Sequence, residues 1–276
     1  MLKKIIIIII ILIILAGFTA WFLITDNQPT TLVNVNLPAS EALTNINSDV
    51  SPAVNGQSQS PKPAPTPSAN NNTVQPTQIV IPSKLELPVA FAPQAPFANW
   101  DELHQEACEE ASIITVGRYF SSQPLNEKIM DEEIYKLDDW ERAQGYKIDL
   151  TAAETAQVLK DYYQLQAKVV VDVSVDRIKY ELSRGNLIIV PLAGRALKNP
   201  YFRTPGPIYH MLVIRGYDND EFITNEVGTK RGDGFKYKYD QLIKAVHDWE
   251  SSWSHYEVTD EQMIAQPKRM VIVDKL

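Results

Sequence analysis

An uncharged run from Ile5 to Ile24 limits what the rest of the chain can be. At about 1.5 Å of rise per residue, a helix of that length spans the ~30 Å hydrocarbon layer of a bilayer. Lys3 and Lys4 are the only basic residues before Lys62. Positive charge on that flank keeps the short N-terminus in the cytoplasm and carries the remainder across. A cleaved secretory signal is the competing reading, because Ala16, Gly17 and Ala20 offer small residues near the end of the run. The run is long for the apolar part of a signal and continues through Trp21, Phe22, Leu23 and Ile24, which favours an anchor. The expectation is a single-pass cell-membrane protein with its C-terminal domain outside the cytoplasm, or a secreted one if the signal is removed.

Asp26 to Gln78 is a different material. It holds eight of the eighteen prolines, no aromatic residue, and as charges only Asp26, Glu41, Asp49 and Lys62. Such a segment buries too little apolar surface to offset the entropy of ordering, and Pro61 to Pro67 favours extended polyproline geometry. It reads as a disordered tether with a reach on the order of 40 Å. The expected divisions are an anchor over 1–25, a linker over 26–78 and one folded domain over 79–276. A formal net charge of −8, with no basic stripe, argues against a nucleic-acid partner.

The domain contains all four histidines and the only cysteine, Cys108. Exported proteins normally pair their cysteines, so a single exported thiol calls for another role. Around it, Ala107, Ala111, Ile114 and Phe120 fall on one helical stripe with Gly117. Cys108 therefore opens a buried helix, where unpaired N–H groups and the helix dipole favour a thiolate. Glu109 and Glu110 partly oppose that charge, so a basic partner is required.

Thr151 to Glu154 has the form of a capping box before a helix through about Tyr163. Ala167–Val173 reads as a strand, and Ser174–Arg184 as a helix stopped by Gly185. Short strands follow at 187–192, 209–217, 221–227, 234–239 and 270–274. Helices first and strands later make an α+β class with an antiparallel sheet. His210 begins the strand Met211 to Ile214, and a hairpin returns through Phe222 to Asn225. With its loop centred near Tyr217 and Asp218, Asn225 lies across from His210 on the same face. Cys108, His210 and Asn225 then suit a nucleophile, a base and an orienting amide.

The order Gln94, helical Cys108, a buried Leu187 to Val190 strand, Tyr209-His210 to Asp218, and Phe222 to Asn225 resembles the bacteriocin-processing, double-glycine cysteine peptidases and their transporter-free relatives. The resemblance covers roughly Leu87 to Val246. It implies a papain-like fold, a triad of Cys, His and Asp or Asn, and an upstream glutamine in the oxyanion hole. That glutamine is Gln94 or, nearer in sequence, Gln105. Two positions depart from the family pattern: Cys108-Glu109-Glu110 stands where Cys-Gly-Pro is common, and Asn225 where Asp is often found. No Gly-x4-Gly-Lys-Ser/Thr occurs, so ATP-driven export is not implied.

The resulting expectation is a cysteine-type peptidase or amidase acting on a peptide or protein, with no metal or organic cofactor. The alternatives are a transpeptidase using the same triad, or a catalytically idle papain-like module that binds peptides or envelope polymers. His104 and Cys108 are four apart, but no second pair at ligand spacing accompanies them. His247 and His255 read as packing or surface residues beside Trp249 and Trp253. Arg231-Gly232-Asp233 reads as a hairpin tip.

Overall fold

A computed structural model describes residues 81–274. The expected anchor and the whole of the expected linker lie outside the described residues. Among the described residues, no helix is long and apolar enough to cross a membrane.

The sheet is organised around β3 (Leu187–Ala193), whose seven residues are all buried. That strand lies between β7 (Met270–Asp274) and β4 (Tyr209–Asp218). Beyond them are β2 (Gln166–Val170) on one side, and β5 (Glu221–Asn225) and β6 (Asp233–Lys238) on the other, in the order β2-β7-β3-β4-β5-β6. A short β1 (Lys84–Glu86) pairs with the far end of β4, and every pairing is antiparallel. The α+β class expected from the sequence is therefore the observed one.

The helices are α1 (Glu102–Glu106), α2 (Cys108–Phe120), α3 (Glu127–Gln144), α4 (Ala152–Tyr163), α5 (Val175–Ser183), α6 (Tyr239–Ala245) and α7 (Asp260–Ile264). Alternation along the strands splits the core. Leu187, Ile189, Tyr209, Met211, Val213, Val271 and Val273 share one cluster with α2, α3 and α4. In α2, Gly117 lies against the Tyr163 ring of α4, where any Cβ would collide with the aromatic carbons. The Thr151–Glu154 capping box forms as expected, and Ser174 caps α5. The α3 helix is an addition to the sequence reading. Its buried residues Met130, Ile134, Leu137 and Glu141 follow helical spacing, but abundant charge around them hides the stripe.

The β4–β5 hairpin differs from expectation in register. Asp218 pairs with Glu221, so the loop is Asn219-Asp220 rather than Tyr217-Asp218. Asn219 takes the left-handed conformation, φ 54°, that asparagine tolerates and two-residue hairpin loops use. A bulge between Ile214 and Gly216 adds a further shift. Asn225 consequently pairs with Val213, not His210.

Candidate active site

A break after Ala107 separates α1 from α2 and leaves Cys108 as the first residue of the buried helix. Its Sγ donates a hydrogen bond to Glu109 Oε2 at 2.8 Å. Burial pushes the thiol pKa up, and the negative charges of Glu109, Glu110 and Glu106 push it further. The helix N-terminus alone would act the other way. The sequence expectation of an activating setting thus meets an environment that favours the thiol, because burial first, and then three acidic side chains, outweigh one helix end.

Those acids continue inward. Glu109 Oε1 accepts from the Leu150 N–H at 3.3 Å. Glu110 on α2 meets Glu141 on α3, and both are buried. Burial first, then neighbouring carboxylates, raise the pKa values of both groups. Two buried carboxyls in that setting favour the protonated form over two full charges.

Glu106 and Asp149 carry their own counter-charge. His255 presents Nδ1 to Asp149 Oδ2 at 2.7 Å and Nε2 to Glu106 Oε2 at 3.2 Å. The donor atoms of these three residues lie within 4.8 Å of one another, as cation ligands can. However, the carboxylates take opposite ring nitrogens, so the arrangement is an imidazolium held between two anions. Hydrogen bonds to Asp149 and then Glu106 raise the His255 pKa to about 10. The ordinary value is about 6.5, so this group stabilises the fold fully below that pH and ceases to do so as pH rises through about 10. Urea unfolding should show the wild type exceeding His255→Gln most at pH 6, with the gap closing towards pH 10. A gap that stays constant over that range would exclude an imidazolium at this position.

His210 is assembled from other elements. Tyr209 and Met211 share the core with Cys108, while His210 meets Glu226, Phe202 and Gly194. Its Nε2 lies 2.6 Å from Glu226 Oε1. Glu226 Oε1 also accepts from the Gly228 N–H at 2.9 Å, and Oε2 from the Tyr237 hydroxyl at 2.7 Å. Asn199 Nδ2 donates to the same hydroxyl at 2.7 Å. Burial acts to raise the Glu226 pKa, but His210, Tyr237 and Gly228 together hold it below the ordinary carboxylate value. Gly228 has a steric role as well: a Cβ there would lie 2.8 Å from the Phe202 ring and 3.1 Å from His210 Cε1.

No hydrogen bond joins Cys108 to His210 among the described residues; the thiol is occupied by Glu109. Asn225 is also engaged elsewhere, with Oδ1 accepting from Arg215 at 2.8 Å and Nδ2 donating to Ala90 O at 2.8 Å. Gln94 is buried behind α1: its Nε2 donates to the His104 and Gln105 carbonyls at 2.9 and 3.1 Å, and its Oε1 has no partner among the described residues. Gln105 is tied to Trp100 O and Asp101 O. His104 is clamped by Asp101 at 2.7 Å and Asp131 at 3.1 Å, which staples α1 to α3. His247 binds the Gln266 carbonyl. In the Arg231-Gly232-Asp233 segment, Gly232 lies against the Glu226 carbonyl and Asp233 pairs with Arg215.

The sequence reading missed Glu226 and its support by Tyr237. Finding Glu226 takes both the loop at Asn219-Asp220 and the bulge between Ile214 and Gly216, since without the bulge residue 225 would keep the face of His210. Continued one step, the observed register sets residue 226 opposite Leu212, on the same face as His210 and diagonal to it.

Among solved structures, one from Bacillus anthracis described as a C39-like peptidase matches with a TM-score of 0.43 and 14% identity. The match covers 70% of this chain and 98% of that one. No curated protein matches. The Peptidase_C39 like family model matches residues 86–260, which takes in the Cys108 helix, the His210 strand and Glu226. The chain belongs to the Peptidase_C39 like family.

Proposed function

We propose that this protein is a cysteine peptidase with Cys108 as nucleophile, His210 as base and Glu226 as the acid that orients the imidazole. The observation that carries the reading is the buried His210–Glu226 pair at 2.6 Å. It commits Nε2 to the acid, so Nδ1 is the nitrogen that takes the thiol proton. Thiolate attack on a peptide carbonyl then forms a tetrahedral intermediate, whose oxyanion faces the N-terminus of α2. The imidazolium returns its proton to the leaving amine, and water releases the acyl group. Gln94 frames the same end of the helix. Its use as an oxyanion donor requires release of one of the two α1 carbonyls that its amide now holds. Phe97 and Trp100, both exposed on the loop before α1, offer apolar contacts to a peptide chain.

Membrane anchorage through residues 1–25, an outward-facing domain and kinship with the double-glycine branch belong to the same proposal. They rest on the uncharged Ile5 to Ile24 run and on the order of motifs. One observation favours the idle binding module instead: the thiol is bonded to Glu109 and not to His210. A peptidyl epoxide separates the two. The peptidase should be labelled at Cys108 and nowhere else, with labelling at least tenfold slower in His210→Ala. Equal labelling of that variant and the wild type would make Cys108 an ordinary thiol and favour the binding module.

A further inference from the structure

The contact between Cys108 and Glu109 joins a nucleophile to a carboxyl at the position where the family pattern carries glycine. The side chain is held from both ends: Oε2 takes the thiol at 2.8 Å, and Oε1 takes the Leu150 N–H at 3.3 Å. Among the described residues no cation forms an ion pair with it, and burial, then the charges of Glu110 and Asp149, raise its pKa well above the ordinary carboxylate value. Glu110 adjoins it on α2, Asp149 approaches from the α3–α4 loop, and Tyr209 reaches in from β4 with its hydroxyl on Leu150 O at 2.7 Å. On α3, Glu141 is a further buried acid whose pKa, like that of Glu110, is raised. The imidazolium of His255 is spent on Asp149 and Glu106. Cys108 and His210 are only 6% and 2% exposed, so water does little to compete with the carboxyl for the sulfur.

We propose that Glu109 is a latch on the nucleophile: it accepts the Cys108 hydrogen, keeps the sulfur out of pairing with His210, and makes the resting protein slow towards electrophiles. This rests on the peptidase reading for its purpose but not for its chemistry. The latched state is a neutral thiol. The active state forms when that proton passes to His210 and the carboxyl turns away, with no other reactant consumed. Glu109 is a positioning residue, since it acts on Cys108 and touches no substrate. The burial that raises the thiol pKa acts in the same direction as the latch.

The test follows iodoacetamide alkylation of Cys108 by intact-protein mass spectrometry across pH, in the wild type, Glu109→Gln and Glu109→Gln with His210→Ala. Glutamine keeps the shape and the acceptor for Leu150 while replacing the oxygen that takes the thiol hydrogen by an NH₂. The expected result is a wild-type midpoint above the ordinary thiol value of about 8.5, and roughly tenfold faster alkylation of Glu109→Gln at pH 7. Loss of that gain in the double variant would show His210 taking over the sulfur. Retention of the gain would support the latch and remove His210 as the partner of Cys108, which separates the two readings. Wild-type alkylation with a midpoint at or below 8.5 overturns the latch even if the variants fail to fold. So does a Glu109→Gln rate within twofold of the wild type.

Discussion

Turnover of a cleaved peptide is expected to fall about 10³- to 10⁴-fold in Glu226→Gln, the usual scale when a buried triad acid becomes its amide. In the wild type both carboxylate oxygens act as acceptors: Oε1 for His210 and the Gly228 N–H, Oε2 for the Tyr237 hydroxyl. An amide has one oxygen, so its NH₂ must face either the imidazole or the phenol. Facing His210, it donates to Nε2 and so forces the ring proton onto Nδ1, the nitrogen that must receive hydrogen from Cys108. Facing Tyr237, it leaves the imidazolium without a counter-charge when the proton arrives. Asn225→Ala should instead cost folding stability, about 1 to 3 kcal/mol for the lost contacts with Arg215 and Ala90, with turnover close to that of the wild type. Turnover measured at matched folded fraction decides between them. Near-normal activity in Glu226→Gln with activity lost in Asn225→Ala would return the third position to Asn225.

Legibility in the sequence divides along physical lines. The Thr151–Glu154 cap, the β3 strand and the helix that begins at Cys108 depend on local chemistry: a cap, an apolar run, a small-residue stripe. Each is readable without knowing what packs against it. The hairpin register is not local in this sense, because a bulge between Ile214 and Gly216 leaves no mark that a period of two can detect. Its position is explained by β1, which crosses beside Gly216 so closely that a Cβ there would strike the Leu85 carbonyl. Glu109 and Glu110 were hidden for another reason. Charged residues at a helix start are expected in solvent, and only the arrival of α3, the Asp149 loop and Tyr209 buries them.

Arg215→Met is expected to destabilise the domain by about 2 to 4 kcal/mol, a large part of the 5 to 15 kcal/mol that holds a typical domain together. Arg215 sits at the β4 bulge, and its buried guanidinium serves several acceptors. Nη1 donates to Val89 O at 2.7 Å and to Asn225 Oδ1 at 2.8 Å, while Nη2 meets Glu86 at 2.8 Å. Asp233 completes the group at 2.9 Å. Methionine keeps most of the apolar stem but leaves the Val89 carbonyl and the Asn225 amide oxygen buried with no donor from this side chain. The segment from Glu86 to Ala90 is then free to leave the hairpin. Gln94 is tied to this region through the Val227 carbonyl, one residue beyond Glu226, so loosening should reach the His210 pocket. The outer ion pairs contribute less, because Asp233 is mostly exposed and water screens it. Asp233→Asn should therefore cost under about 1 kcal/mol in the same urea titration. Equal midpoints for Arg215→Met and the wild type would show that the bulge and the β1 pairing hold themselves, without the guanidinium.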